Sequence, residues 1–309
     1  MIRVQGLHKQ YGAVHALDGL NMTVEKGTVF GFLGPNGAGK TTTLRILSGL
    51  ARPTSGTVSV AGIDPASDGR SLSSHIGFLP EEPAFYPWMT PAEFLKYLAE
   101  LHHLPAESQA ARINELLELV TLAEVRKRRI GGFSRGMRQR LGLAAALLHK
   151  PAVLLLDEPV SALDPVGRKE MLDLIEGLRG TCTVLMSSHI LADVERVCSV
   201  VGIIARGKLI VQADRETLMN RYAQPVFQCE GLEPATISRW AEKLKSEVWV
   251  SALNQEGSSL RVTTTDPERA RGELLRSAVA ENVPLRRFEE ARPSLEDIFL
   301  QLVEKEEAV

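Results

Sequence analysis

The stretch Gly34-Pro-Asn-Gly-Ala-Gly-Lys-Thr41 decides the fold class of this 309-residue chain. It follows the apolar run Thr28–Leu33, which predicts a buried strand, and it precedes Thr42–Leu47, which predicts a helix. Glycines at this spacing let backbone N–H groups point at an anion, and the helix N-terminus adds a positive end. A strand, a glycine-rich loop and a helix in this order predict a phosphate loop in an α/β protein.

The loop residues have expected roles in holding a nucleoside triphosphate. Lys40 should reach the β- and γ-phosphates, and the Thr41 hydroxyl should ligate Mg²⁺. The alternative is a glycine-rich turn that matches by chance, and the flanking strand and helix argue against it. The predicted binding residues are contiguous in the chain: Gly34, Pro35, Asn36, Gly37, Ala38, Gly39, Lys40, Thr41 and Thr42.

Two further segments carry candidate catalytic residues. The apolar run Ala152–Leu156 ends in Asp157 and Glu158. Asp157 is expected to hold Mg²⁺ through its waters, and Glu158 is the candidate general base for an attacking water. His189 follows the next predicted strand, Thr183–Met186, and is a candidate sensor of the γ-phosphate. The alternatives are two solvated acids at a strand end and a capping or core histidine.

Between the phosphate loop and the Asp–Glu strand lies Phe133-Ser-Arg-Gly-Met-Arg-Gln-Arg140, a Ser-x-Gly turn that opens an arginine-rich helix. With Ser161-Ala-Leu-Asp164 and His189 after it, this order resembles the nucleotide-binding subunit of an ABC transporter over residues 2–220. The resemblance implies an ABC ATPase fold, with a RecA-like P-loop core, an antiparallel β subdomain and a helical subdomain. It also implies ATP hydrolysis that powers a separate membrane permease.

The same resemblance assigns roles that the residues alone do not. Tyr11 would stack on adenine, Ser134 and Gly136 would bind the γ-phosphate of the ATP held by the opposite subunit, and Asp164 would link the two sites. One chain has one phosphate loop and one Ser-x-Gly segment, on different lobes. A complete site therefore needs two chains arranged head to tail, either two copies of this chain or this chain and a paralogous ATPase subunit.

Two departures from the family pattern point to a branch. Glu81 stands where the family usually has glutamine, and it can approach Mg²⁺ or the water while adding negative charge beside Glu158. Arg135 stands within the Ser-x-Gly segment, where it either adds a cation near the phosphate or faces solvent. These changes, and the segment Pro293–Leu300, resemble the exporter branch whose permeases are separate six-helix proteins.

Composition limits the remaining possibilities. The net charge is −2, so no nucleic-acid partner is expected. The longest apolar run, Leu143–Leu148, is far shorter than the ~20 residues of a membrane helix. We therefore expect a separate permease to hold the protein at the cytoplasmic face of the cell membrane. The alternative function is a soluble ABC ATPase acting on ribosomes or DNA, although two cassettes or a long coiled-coil insertion would then be usual. Drug, lipid, glycan and ion export all remain open.

We expect two domains, an ATPase domain over 1–220 with its helical part at about 85–148, and an accessory α+β domain over 221–309. The second domain shows a βαββαβ pattern, which is ferredoxin-like. It either binds a regulator or braces the ATPase dimer, and the absence of a ligand constellation favours bracing. Its predicted strands are Val226–Cys229, Val248–Ala252, Leu260–Thr263 and Leu285–Phe288, with a turn at Gln255–Gly257.

Three surface features have competing interpretations. The aromatic cluster in Pro83–Met89 is either core of the helical part or a groove for a short permease helix. Arg126–Arg129 is a solvated face or a contact with acidic lipid or the permease. His102 and His103 are adjacent and so unsuited to chelation, and are expected on the surface. The cysteines, which show no pairing or metal spacing, are expected to be reduced and buried: Cys182, Cys198 and Cys229.

Overall fold

The structure is a computed structural model that divides the chain into two compact units, Met1–Asp214 and Arg215–Val309. Residue 220, after which the sequence predicts the boundary, lies in the helix that begins the second unit. Ala162 of the predicted Ser161–Asp164 loop and Pro293 and Leu300 of the C-terminal segment lie outside the described residues. The described residues are 1–161, 163–222, 224–291, 294–299 and 302.

The first unit mixes strands and helices, as the sequence predicts. Short 3₁₀ turns at Ala123–Val125 and Ile130–Gly132 lie in its helical part. Its elements in chain order are β1 (Ile2–Tyr11), β2 (Val14–Val24), β3 (Val29–Leu33), α1 (Lys40–Leu47), β4 (Ser55–Val60), α2 (Gly69–Ser73), β5 (Ile76–Leu79), α3 (Pro91–Leu101), α4 (Ala106–Leu119), α5 (Arg135–Leu147), β6 (Val153–Asp157), α6 (Pro165–Gly177), β7 (Thr183–Ser188), α7 (Leu191–Val197), β8 (Val200–Ala205) and β9 (Lys208–Asp214).

A six-stranded sheet of order β5-β6-β7-β3-β8-β9 forms the centre of this unit. Its first five strands are parallel, and β9 is antiparallel to β8. Every residue of β3, β6 and β7 is buried, as continuous apolar runs in a parallel sheet predict. The register sets Leu33 opposite Ser188 and Asp157 opposite Ser187. The carboxyl ends of three neighbouring strands therefore meet where α/β sheets bind ligands.

Two smaller parts flank this sheet. The strands β2-β1-β4 form the predicted antiparallel sheet. The helices α3, α4 and α5 form the predicted helical part. Thr90 and Glu93 close a reciprocal capping box at the start of α3, behind Pro91. Ser134 caps α5, because its hydroxyl accepts a hydrogen bond from the Met137 N–H at 3.2 Å.

The second unit has the predicted βαββαβ order, with a further helix before it. Its sheet has the order β11-β12-β10-β13, and all pairs are antiparallel. Trp240 donates to the Ser277 hydroxyl at 3.0 Å and so joins its two covering helices. Its elements are α8 (Arg215–Tyr222), β10 (Val226–Gly231), α9 (Pro234–Leu244), β11 (Val250–Glu256), β12 (Ser259–Thr264), α10 (Pro267–Ala280) and β13 (Leu285–Ala291).

The predicted boundaries of β11 and its turn are wrong. The strand starts at Val250 and continues through Gln255 and Glu256, and the turn consists of Gly257 and Ser258 alone. Glu256 pairs with Ser259 across this two-residue connection, and Gly257 has φ +58°. A tight hairpin needs positive φ at the turn, which glycine adopts at no steric cost, so the strand extends up to the glycine.

Candidate functional site

A cavity of about 220 Å³ opens at the carboxyl ends of the central strands. Its walls come from the phosphate loop, the start of α1, and the segments after β5, β6 and β7. It brings together residues that the sequence scatters over 170 positions or more, among them Lys40, Glu81, Glu158 and His189. The residues that line it are Ala16, Pro35, Asn36, Gly37, Gly39, Lys40, Thr41, Thr42, Glu81, Glu158 and His189.

The loop backbone requires glycine at two positions. A Cβ on Gly34 would lie 2.3 Å from the Ile204 carbonyl oxygen. Gly39 has φ +110°, and a Cβ there would lie 2.7 Å from the Ala16 carbonyl oxygen. Any larger residue would push the loop away from the sheet. Gly34 and Ala38 are buried residues of the loop and do not line the cavity, so we assign them a structural role.

Lys40 lies across the mouth of its own loop. Its side chain is buried, and Nζ donates to the Gly34 carbonyl at 2.6 Å and to the Pro35 carbonyl at 3.3 Å. Nζ also lies 3.5 Å from Glu158 Oε1. A buried ammonium needs such partners. The lysine is therefore held at the cavity as a cation that can transfer its donors to phosphate oxygens.

A hydroxyl and a carboxylate meet beside the lysine. The Thr41 hydroxyl donates to Asp157 Oδ1 at 3.2 Å, and the Ser187 hydroxyl donates to the same oxygen at 2.7 Å. Asp157 is 2% exposed, and no described cation forms an ion pair with it. Buried carboxylates are paired or coordinate metals. Hard oxygen donors of this kind suit Mg²⁺.

Glu158 occupies a constrained position between two partners. Its backbone is left-handed, with φ +47°, and its N–H donates to the Ser187 hydroxyl at 3.0 Å. Oε2 lies 2.8 Å from His189 Nδ1, while Oε1 faces Lys40. A non-glycine residue at positive φ is held by its surroundings and is often functional. The carboxylate is thus fixed at the cavity in an orientation that can accept a proton from a water.

Tyr11 lies at the end of β1, outside the residues that line the cavity. Its ring is 48% exposed, and the Lys9 ammonium lies 4.7 Å from the ring centroid. The Lys9 ammonium forms a cation–π interaction with one face of the ring, and a base could stack on the other face. The predicted adenine contact of Tyr11 stays a prediction.

The Ser-x-Gly segment lines a different opening. Ser134 is exposed and bonds within its own helix, and a Cβ on Gly136 would lie 3.1 Å from Leu163 Cδ2. Asp164 caps α6 through the Gly167 N–H at 3.2 Å. None of these three residues lines the phosphate-loop cavity. Three other residues of the segment, Arg135, Arg138 and Gln139, line a separate cavity of about 450 Å³ together with Glu81, Glu82, Pro83 and Ser161.

Sequence reasoning missed four residues at or beside these two cavities: Ser187, Glu82, Gln139 and Asp193. Ser187 bridges Asp157 and Glu158, and its position directly opposite Asp157 follows from strand register. Arg135 pairs with Glu82 at 2.8 Å, which places its cation on the Glu81 side in this chain. Gln139 is buried with an unpartnered amide nitrogen. Burial raises the pKa of Asp193 despite its bond to Arg168; no local pattern marks that pair.

The surface features separate into buried and exposed members. Phe85 packs on Phe94 at 5.1 Å, whereas Tyr86, Trp88 and Tyr97 are exposed, with Tyr86 in contact with both of the others. Phe85 is half-buried and fits the interpretation as core, and the permease contact of the exposed rings stays a prediction. The placement of His102 on the surface is wrong. It is half-buried and stacks on His149 at 4.1 Å, because α3 ends at this residue and packs against α5.

The cysteine prediction is confirmed, since all three residues are buried and in the thiol form. Burial raises the pKa of Cys182 to about 11 and that of Cys229 to about 12. No helix in the described part of the chain has the length and apolar character needed to cross a bilayer.

Comparison with known proteins identifies relatives along the whole chain. Residues 17–161 match the family model of the ABC transporter, and residues 214–303 match the model of the C-terminal domain of ATP-binding protein DrrA1-3-like. An uncharacterized ABC transporter ATP-binding protein of Bacillus subtilis, YxlF, is 41% identical over 98% of this chain and 99% of its own length. The bacitracin transport ATP-binding protein BcrA of Bacillus licheniformis is 36% identical over 98% and 97%.

A solved ATP-binding subunit of an ABC transporter has the same fold as part of this chain. It superposes with a TM-score of 0.67 at 27% identity, covering 72% of this chain and 93% of the solved one. The likeness extends to the α/β architecture that the sequence predicts, and that fold class is confirmed.

Proposed function

The chain belongs to the ATP-binding subunits of ABC transporters, in the exporter branch, and we propose that two copies hydrolyse ATP between them to drive a separate permease. Family membership makes this chain an ATP-binding ATPase. The observation that carries the residue assignments is the network of Lys40, Glu158 and His189 around the cavity. This network supports the assignment of Lys40 to phosphate, Glu158 to the attacking water and His189 to the γ-phosphate.

Phosphate binding falls to the loop and its lysine. The Ala38 and Thr43 N–H groups already bond to the Pro35 and Gly39 carbonyls. The other N–H groups at the start of α1 lack intrahelical acceptors and can face an anion. Lys40 exchanges the Gly34 and Pro35 carbonyls for phosphate oxygens, which accept charge-assisted hydrogen bonds. Tyr11 is assigned to the adenine ring.

Thr41 and Asp157 fit a magnesium ion, because their oxygens lie together and Asp157 lacks a cationic partner among the described residues. When bound, Mg²⁺ supplies charge neutralisation at the β- and γ-phosphates. Ser187 orients Asp157 by donating to it, and we assign Glu81, which also lines the cavity, as a third oxygen ligand.

Hydrolysis falls to Glu158 and His189. Glu158 accepts the proton of the attacking water, and the short contact with His189 Nδ1 fixes which carboxylate oxygen faces the histidine. His189 is assigned to the γ-phosphate. The buried Lys40 offsets the negative charge of Glu158 next to the triphosphate.

The second chain completes the site. Ser134 and Gly136 line no part of the phosphate-loop cavity of their own chain, and Ser134 is exposed. We assign both to the γ-phosphate of the ATP held by the opposite copy, with Asp164 at the junction. A paralogous ATPase subunit with the same two surfaces would serve equally.

The permease is the second partner. We place the complex at the cytoplasmic face of the membrane, where ATP is supplied, and assign the exposed trio Tyr86, Trp88 and Tyr97 to the permease contact. The substrate is that of the permease; the relative BcrA is named for bacitracin. Co-purification with a membrane permease, rather than with ribosomes or DNA, distinguishes this function from a soluble ABC ATPase.

Glu158→Gln tests the hydrolytic assignment. The substitution keeps shape and removes the proton acceptor, so we expect ATP affinity within about threefold of wild type and a turnover about 10²–10⁴-fold lower. Because ATP then persists, dimers should accumulate in sedimentation with ATP. The exposed Glu176→Gln, on a helix away from the cavity lining, serves as the matched control and should behave as wild type. Normal turnover by Glu158→Gln would contradict the assignment.

A further inference from the structure

Strand β13 forms one edge of the sheet in the second unit. It pairs with β10 on its inner side, and among the described residues no strand pairs with its outer side. An edge strand exposes unpaired N–H and C=O groups that can template another strand. Its sequence, Leu285-Arg-Arg-Phe-Glu-Glu-Ala291, carries four charges arranged around the central Phe288.

The charges form an inverted pattern that is complementary to itself. Two copies of β13 that pair antiparallel about Phe288 place Arg287 opposite Glu289 and Arg286 opposite Glu290, and the two-fold axis repeats both pairs. In an antiparallel pair, residues directly opposite each other point to the same face of the sheet. The other symmetric registers must therefore shift the pairing of the two strands by two residues. Those registers centre on Arg287 or Glu289 and set like charges opposite one another. Cross-strand pairs of opposite charge stabilise a sheet, and like charges destabilise it.

Charges on an edge strand can instead act as guards against pairing. The other edge of the same sheet argues against that interpretation here. β11 has the sequence Val-Ser-Ala-Leu-Asn-Gln-Glu and carries one charged residue, Glu256, at its end. A guarding role would be needed equally at both edges. The charges of β13 also reverse sign at its midpoint, which repulsion alone does not require.

The helix above this edge supplies an independent observation. Arg271 of α10 forms an ion pair with Glu290 of β13 at 2.9 Å, so this side of α10 faces the strand edge. Leu275 and Val279 follow at i+4 and i+8 on that side, and they are 44% and 77% exposed. The opposite flank of α10 carries Ser277, which bonds to Trp240 of α9. An exposed apolar pair therefore lies along the same edge as the charges.

We propose that β13 and the outer flank of α10 form an interface between two copies of this chain. The two β13 strands pair antiparallel about Phe288, which joins two four-stranded sheets into one of eight strands. The two α10 helices then run antiparallel over the joint, with Leu275 and Val279 of each copy facing those of the other. A symmetric interface of this kind uses the same patch on both copies.

The present partners of these charges do not prevent the pairing. Arg287 contacts Glu289 of its own strand at 2.7 Å, and Arg286 lies 3.9 Å from Glu230. Exposed ion pairs of this kind contribute little and rearrange readily. Main-chain hydrogen bonds and the burial of two apolar side chains per copy supply the added attraction. The interface needs no nucleotide, so it is separate from the ATP-dependent contact proposed above.

Charge reversal in the full-length chain without nucleotide tests this interface. Arg286→Glu with Arg287→Glu leaves four glutamates on the strand, and Glu289→Arg with Glu290→Arg leaves four arginines. Each double variant alone should dimerise at least about tenfold more weakly than wild type, measured by sedimentation. An equimolar mixture of the two restores every opposite-charge pair, and it should return to the wild-type dissociation constant. Val279→Asp, at an exposed position, should also weaken the dimer.

The matched control is Arg269→Glu with Arg276→Glu, which makes the same charge change on an exposed part of α10 away from β13. It should dimerise as wild type does. A monomeric wild type without nucleotide overturns the interface, and so does a mixture that stays monomeric. Lys40→Ala should retain this dimer, while ATP-dependent dimers of Glu158→Gln should survive charge reversal, so each contact can fail without the other.

Discussion

The phosphate-loop cavity and the Ser-x-Gly segment differ in how their polar groups are satisfied. Around the cavity, Lys40, Asp157 and Glu158 are buried, and each forms hydrogen bonds or an ion pair with groups of the same chain. In the segment, Ser134 is exposed and bonds to its own helix turn. Buried charges need partners within the folded chain, whereas an exposed hydroxyl does not need one. The polar groups of the first region are thus satisfied within one chain, and we propose that those of the second are used by a second chain.

Glu81 marks the boundary between these two regions, since it lines both cavities. Strand β5 leads into this residue, and Glu82 beside it pairs with Arg135 of the Ser-x-Gly segment. A change at either cavity can therefore reach the other through one short stretch of chain. We expect variants of the phosphate-loop cavity to lower ATP affinity, and variants of the Ser-x-Gly segment to lower ATP turnover.

Lys40→Ala should have the largest effect, because it removes the cation from the complete region. Two charge-assisted hydrogen bonds to phosphate contribute about 3 kcal/mol, so ATP affinity should fall about 100-fold. Calorimetric titration with ATP measures this. Lys208→Ala removes an exposed lysine of the same unit and should leave affinity unchanged. ATP binding by Lys40→Ala at wild-type affinity would contradict the phosphate assignment.

Ser134→Asp should damage turnover while sparing the fold. Aspartate caps a helix as well as serine does and suits its positive end, so thermal stability should be kept or raised. Across the dimer its charge would repel the γ-phosphate, and ATPase activity should fall about 100-fold with ATP affinity of the single chain unchanged.

Mixing Ser134→Asp with Lys40→Ala sharpens the comparison further. A mixed dimer has one site built from the intact lysine of one chain and the intact serine of the other, so activity should recover to at most about a quarter of wild type. Recovery can arise only if the site spans two chains. A mixture as inactive as its components would favour a site completed within one chain.

Glu82→Gln should have a smaller effect. It releases Arg135 from an exposed ion pair, which contributes little to stability, so the unfolding midpoint should hardly move. If Arg135 approaches phosphate in the dimer, its release should raise ATPase activity by about two- to threefold, and Arg135→Ala should lower it. Equal rates for both variants would mean that Arg135 faces solvent. Glu100→Gln is a matched exposed control.

The sequence predicts the groups whose chemistry is local and misses those that depend on strand register. Lys40, Thr41, Asp157 and Glu158 follow from contiguous motifs, and the structure brings them to one cavity. Ser187 joins them through β6–β7 pairing, and Glu82 meets Arg135 across 53 positions, so neither leaves a pattern in the chain. Hydrophobic periodicity predicts the βαββαβ order. The end of β11 depends instead on Gly257, which adopts the positive φ that the tight turn needs.

His149→Gln probes the strand that leads to Glu81 and should affect the pH dependence of stability, with little effect on ATP binding or turnover. His149 bonds to the Ile76 carbonyl at the start of β5, and burial, with His102 beside it, lowers its pKa from 6.5 to about 4. A neutral histidine therefore favours the folded chain, and this stabilisation is present above pH 6.5 and is lost as the pH falls toward 4. Each pKa unit corresponds to ~1.4 kcal/mol, and partial exposure reduces the effect, so about 2 kcal/mol should be lost. Glutamine does not titrate there, so His149→Gln should flatten the pH dependence of the unfolding midpoint, while the exposed His103→Gln should leave it as in wild type.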